Sequence, residues 1–259
     1  MVKLKKYNRF LKLFVIFLTL FSIISCSNKN YNLTKIEGKQ IPVTEKGTET
    51  PEIEKFIKPY RDHINKDLDS VLAYCPENLD KNSGKWQTTI GNMLADACVQ
   101  RGDIIFKSRE NKTIDFCLLN FGGIRAGLPK GNVTSRSAFE IMPFENNLVV
   151  LALKGEQVLE ITSYFIKTQK AQPLSGMTFT IAKDKTVKNI LIQGKPFDVN
   201  KTYYVATNDY LANGGDNMSF FAKNTQKFDL NYKLRNVLID YFKQVKTIPV
   251  SKDIRITEE

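Results

Sequence analysis

The sequence predicts a single domain of the α/β or α+β class, carried behind a non-globular start. Three observations predict it. Apolar residues recur at steps of three and four in two stretches, 51–74 and 231–245, as on one face of a helix. The run NLVVLALKG (147–155) is almost continuously apolar and bounded by turn residues, as in a strand covered on both sides. Between the helical stretches lie short β-rich runs punctuated by glycine and asparagine, with no internal repeat and no low-complexity tract.

Taken in order, the chain opens with five basic residues, Lys3, Lys5, Lys6, Arg9 and Lys12, and no acid, followed by an apolar run from Leu13 to Ile24. That run is short for a membrane span and suits the apolar core of a signal peptide. It closes on Ile23-Ile24-Ser25-Cys26, which resembles the bacterial lipoprotein box. The resemblance implies a signal peptide over 1–25, cleavage, and a lipid on Cys26 that tethers an exported protein to a membrane of the bacterial cell envelope. Cleavage there leaves 234 of the 259 residues and takes the formal charge from +11 to +6. A mild basic excess favours anionic ligands. No arginine-rich helix or RNA-binding aromatic motif is present, so nucleic acid is not an expected partner.

Residues 26–50 read as a polar tether, in which YNLTKIEGKQIPV (31–43) alternates as a peripheral strand does. The domain proper is expected over 51–259. Within it, 51–74 reads as a helix with Pro59 as a kink or boundary, and Ile90–Cys98 as a second helix. FCLLN (116–120) reads as a buried strand, GGIRAGLPKGN (122–132) as a loop, and 156–167 as an amphipathic helix. The runs 177–183, 186–194 and 201–211 read as strands, and 231–245 as the last helix.

The densest chemistry lies in YLANGGDN, Tyr210 to Asn217. Its paired glycines, Gly214 and Gly215, permit positive φ and a close backbone approach to a ligand. Tyr210 and Asp216 offer a flat apolar face and an acceptor-only oxygen pair, a set suited to an aromatic ring with vicinal hydroxyls, such as a nucleoside. Three motifs then stand in order: IGNMLADA (90–97), NFGGIRAG…MPFENNLV (120–149) and TNDYLANGGDN (207–217). With the preceding FIKPYRDHINKDLD they resemble the C-terminal domain of the 5'-nucleotidase / UDP-sugar hydrolase family, over roughly residues 31–256.

The resemblance implies a layered α/β sandwich that holds the nucleoside part of a nucleotide. It places base-stacking aromatics at Phe144 and Tyr210, the latter where many members have phenylalanine, and the ribose-binding carboxylate at Asp216. It places the phosphate-facing arginine at Arg125, with Asn120 and Asn146 as amides that help hold the base. Gly122 and Gly123 join Gly214 and Gly215 as points of close backbone approach. A guanidinium fork suits phosphate oxygens, and two rings can clamp a base. The segment before IGNMLADA lacks the arginine found in many members, and Lys85 is the candidate substitute; Trp86 reads as packing.

The same resemblance implies that hydrolysis belongs to a dinuclear metallophosphatase. The 259 residues contain one histidine, His63, and neither a DxH nor a GNHE motif, so no metal site is expected in this chain. No Ser-His-Asp or Cys-His arrangement offers an alternative. His63 reads as a surface residue. Divalent metals are therefore expected on a separately encoded partner metallophosphatase, with nucleoside 5'-phosphates or related esters as ligands. The alternative is a nucleotide- or nucleoside-binding lipoprotein without catalysis. Cys75, Cys98 and Cys117 lack zinc-site spacing and are compatible with one disulfide or with three buried thiols.

Overall fold

The computed structural model describes residues 2–23, 33–42, 44 and 50–259. The chain divides into two units, Met1–Thr50 and Pro51–Glu259. In the first, α1 (Val2–Ile23) is a helix, and no helix among the described residues is long and apolar enough to cross a membrane. Residues 33–42 are exposed and take no regular secondary structure. The strand expected over 31–43 is thus absent there: alternation alone does not hold a strand that pairs with no neighbour. Cys26 lies outside the described residues.

The second unit begins with α2 (Pro51–Leu68), which carries Pro59 inside it and buries no residue. The helix expected to reach residue 74 stops at Leu68, and Val71–Cys75 forms β1. There follow α3 (Thr89–Glu110), β2 (Phe116–Leu118), β3 (Gly131–Thr134), α4 (Ser135–Ile141), β4 (Asn147–Lys154) and α5 (Gly155–Thr168). Next come β5 (Leu174–Ser175), β6 (Met177–Ile181), β7 (Val187–Ile192), β8 (Lys195–Pro196), β9 (Thr202–Asn208) and α6 (Asp209–Ala212). The chain closes with β10 (Gln226–Lys233), α7 (Leu234–Val245) and β11 (Ile256–Glu258). The second helix is therefore longer than its apolar signature. It starts where the Thr88 side chain accepts the Gly91 N–H at 3.1 Å and ends at Asn111 in the left-handed conformation.

A five-stranded sheet, in the order β10-β4-β9-β2-β5, forms the middle layer. Its inner strand β4 is buried along six consecutive residues, and successive side chains enter different cores. Leu148 and Val150 join α3, α4, α7, β1 and β3 on one side. Val149, Leu151 and Leu153 join α5 and the four-stranded sheet β11-β6-β7-β8 on the other. The result is the layered α/β sandwich that the resemblance implies.

The IGNMLADA motif serves this architecture. Asp96 accepts Arg255 Nη2 on both carboxylate oxygens, at 2.8 and 2.7 Å, and Ser175 Oγ at 2.6 Å. Those bonds fasten β5 and the approach to β11 onto α3. Trp86 is buried in the second core, as its reading as packing required. Cys75, Cys98 and Cys117 are buried free thiols. Burial pushes the Cys117 thiol well above its ordinary pKa, and the adjacent Cys98 adds to the shift. His63 is exposed beside Asp67 at 3.5 Å.

Candidate functional site

The site gathers three turns at one end of the central sheet. The first follows β2. Asn120 is buried, and its Nδ2 donates to Asp216 Oδ2 at 2.7 Å across 96 positions of sequence. Its Oδ1 would lie 2.9 Å from a Cβ on Gly123, so that glycine makes room for the asparagine side chain. A Cβ on Gly122 would make only ordinary contacts with the same pair, 3.5 Å from Asn120 Nδ2 and 3.8 Å from Asp216 Oδ2. Arg125 is exposed; its Nη1 donates to Gly122 O at 3.3 Å, while its backbone N–H binds Ile141 O at 2.9 Å and ties the turn to α4.

The second turn runs from α4 into β4. Met142 is buried and Phe144 is 41% exposed. Glu145 next to it receives Lys233 Nζ and Arg235 Nη2. Those two hydrogen bonds pull the Glu145 carboxyl down to about pKa 2. Arg235 also stacks over Phe139 at 4.2 Å, so the loop bearing Phe144 is anchored to the start of α7. Sequence reasoning passed over Glu145 because its partners lie 88 and 90 positions away. Asn146 Nδ2 donates to Asp209 Oδ1 at 2.9 Å.

The third turn follows β9. Asn208 caps the single helical turn α6 by accepting the Leu211 N–H at 2.8 Å. Gly214 then takes φ +86°, a left-handed value for which glycine is suited. Asp216 follows at φ 52°, ψ 27°, which costs a residue with a Cβ about 1 kcal/mol. The Tyr210 hydroxyl secures it. That hydroxyl donates to Asp216 Oδ1 at 2.9 Å and accepts the Asp216 N–H at 3.1 Å. Tyr164 Oη binds Asp216 O at 2.9 Å from α5. A Cβ on Gly215 would stand 2.5 Å from Tyr210 Cε1 and Cζ, so Gly215 exists for the tyrosine ring to lie against the backbone.

These turns enclose a cavity of about 450 Å³ lined by Arg125, Phe144, Asn146, Tyr210 and Asp216, with Asn120, Gly122 and Gly123 in its wall. Of the side chains that the resemblance places around a substrate, Asn120, Arg125, Phe144, Asn146, Tyr210 and Asp216 all line this one space. The amide donors of Asn120 and Asn146 are engaged with Asp216 and Asp209, so Asn120 orients an acid that lines the cavity and Asn146 is tied to the start of α6. Gly214 sits outside it and lines a neighbouring cavity.

Lys85 does not reach the site. It pairs with Glu258 at 2.6 Å and lies over Trp86. Lys81, from the same segment, packs behind the first turn instead: its Nζ donates to Ile124 O and stands 4.2 Å over the Phe121 ring. Burial, then the positive charge of Arg125, hold its ammonium below the ordinary pKa. Lys81 and Arg125 thus bring two positive charges to the first turn. The sequence signal was a second lysine in the same polar segment, four positions before Lys85, and only the fold chooses between them.

Comparison with known proteins gives the lineage. A model of the 5'-nucleotidase C-terminal domain matches residues 71–223, more than half of the chain. The chain belongs to the 5'-nucleotidase C-terminal domain family. It is 25% identical over 249 residues to an apyrase of Tabanus yao, covering 88% of this chain and 45% of the apyrase. It is 27% identical over 198 residues to the protein UshA of Yersinia enterocolitica, covering 73% of this chain and 34% of UshA. It thus spans less than half the length of either relative. Among solved structures, the 5'-nucleotidase precursor from Thermus thermophilus superposes with a TM-score of 0.64 at 22% identity. That match covers 79% of this chain and 42% of the other, and supports the fold. Among the described residues, no group of three or more His, Cys, Asp or Glu is placed to hold a metal ion.

Proposed function

We propose that this chain is the nucleotide-binding half of a 5'-nucleotidase-type phosphoester hydrolase. It grips the nucleoside while a separately encoded dinuclear metallophosphatase supplies the metals and cleaves the phosphate. The observation that carries the proposal is the single cavity shared by Phe144, Tyr210, Asp216 and Arg125. The base lies between the two rings, which have no ring contact with each other among the described residues. The ribose diol donates to Asp216, already aimed by Asn120 and Tyr210. The 5'-phosphate meets Arg125 and Lys81, whose mutual repulsion it relieves.

The reading that hydrolysis lies elsewhere is supported by the single histidine of the 259 residues and by the missing DxH and GNHE motifs. Mixing the purified chain with a candidate metallophosphatase and following AMP hydrolysis tests it. Turnover is expected only in the mixture. Full metal-dependent turnover by this chain alone overturns the split arrangement. Nucleotide binding that no metallophosphatase converts to hydrolysis supports the non-catalytic binding lipoprotein instead.

We further propose that a lipid on Cys26 holds the protein on a membrane of the bacterial envelope, in keeping with the sequence Ile23-Ile24-Ser25-Cys26. Mass spectrometry of the N-terminal peptide checks this. A chain that retains residues 1–25, or an unmodified Cys26 in the membrane fraction, contradicts it.

A further inference from the structure

Asp216 has a second side. With Gly122 it also walls a neighbouring cavity of about 740 Å³, which the nucleoside clamp does not use. Two cations line it, Lys167 in the last turn of α5 and Lys170 just beyond the left-handed cap at Gln169. Both are exposed, and neither forms an ion pair or a hydrogen bond through its ammonium among the described residues. A lysine in a last helical turn is ordinarily explained by the helix dipole, but Lys170 lies past the helix and faces the same cavity.

A buried donor points the same way. Gln172 is 3% exposed and lines this cavity. Its Oε1 is fixed as the acceptor because it faces the Phe121 N–H at 2.6 Å. No other hydrogen bond to its side chain occurs among the described residues, so the amide donors of Nε2 are left to the cavity. The cavity is thus lined by two lysines and a buried amide, and it shares Asp216 with the base clamp.

We propose that this second cavity is an anion subsite for a phosphate carried on a ribose hydroxyl. Its ligands are nucleoside 5'-phosphates bearing a second phosphate at the 2' or 3' position. The inference rests on the nucleoside reading of the clamp. With the ribose on Asp216, one hydroxyl donates to the carboxylate, and a substituent on the other is directed over Asp216 toward Lys167, Lys170 and Gln172. The lysines offset the repulsion between that phosphate and the carboxylate. Selection here therefore concerns the ribose end of the ligand, independently of the 5'-phosphate at Arg125 and Lys81.

Calorimetry on the full chain separates this from the reading beneath it. The probes are the 5'-monophosphates of adenosine and uridine and their 3',5'- and 2',5'-bisphosphates. At least one bisphosphate is expected to bind about tenfold more tightly than its monophosphate. The Lys167→Ala/Lys170→Ala double variant is expected to erase that gain and leave the monophosphate affinity as it was. The advantage should also shrink as ionic strength rises. Monophosphates that bind while every bisphosphate binds equally or more weakly overturn the subsite and leave the clamp intact. So does an equal loss for both ligand types in the double variant. If none of these compounds binds to folded protein, the clamp itself is wrong and the subsite falls with it.

Discussion

Replacing Tyr210 by phenylalanine separates two jobs that the proposed nucleotide grip gives to one residue. The ring stays, so stacking on a base stays. What goes is the hydroxyl, with its bonds of 2.9 Å to Asp216 Oδ1 and 3.1 Å to the Asp216 N–H. Both sit at a half-exposed position where water competes, so each contributes about 0.5 kcal/mol. Their joint loss is about 1 kcal/mol, or about a fivefold rise in Kd. The loss acts through Asp216, because the hydroxyl holds that residue in its left-handed conformation and aims the carboxylate. A carboxylate has about four acceptor positions, so the tyrosine and Asn120 leave room for the diol. Isothermal titration with AMP and with its 2',3'-dideoxy analogue reads the difference. Tyr210→Phe should weaken AMP about fivefold and leave the dideoxy analogue unaffected, since that ligand has nothing to donate to Asp216. An equal loss for both ligands, or none for AMP, refutes the positioning role.

The remaining expectations address other parts of the same site. Gly215→Ala places a methyl against the Tyr210 ring and should raise the nucleotide Kd roughly tenfold through lost stacking. Melting should change little, because this glycine is not at positive φ; unchanged affinity would free Tyr210 from any stacking role. Arg125→Ala and Lys81→Ala should each weaken AMP and spare adenosine, and an equal loss for both ligands marks the residue as structural. Glu145 is depressed to about pKa 2 by Lys233 and Arg235, so its ion pairs stabilise the fold above the ordinary carboxylate value near 4.5. That contribution is lost as pH falls from about 4.5 to about 2. The melting-temperature gap between wild type and Glu145→Gln should close over that window, and a gap that persists below it contradicts the assignment.

The layers were legible in the sequence wherever a local pattern coincides with burial. The apolar run of β4 and the three-four stripe of α7 each announce their own surroundings. The lining of the candidate cavity was legible through its motifs, because Phe144, Tyr210 and Asp216 sit in short conspicuous strings. What stayed hidden depends on contacts remote in sequence. Val71 and Leu72 continue the spacing of α2, and only pairing with β3, some 60 positions later, makes them a strand. Lys81 and Lys85 occupy one polar segment, and Glu258, 173 positions beyond Lys85, removes that lysine from the site. The bond between Tyr210 and Asp216 spans six residues, yet it requires the successive left-handed turns at Gly214 and Asp216, which no periodicity encodes.

The most direct test of the nucleotide grip is a crystal structure of this chain with AMP bound. The base is predicted between Phe144 and Tyr210, with the ribose hydroxyls on Asp216 and the 5'-phosphate toward Arg125 and Lys81. AMP seated elsewhere, or an empty clamp at saturating AMP, would contradict it.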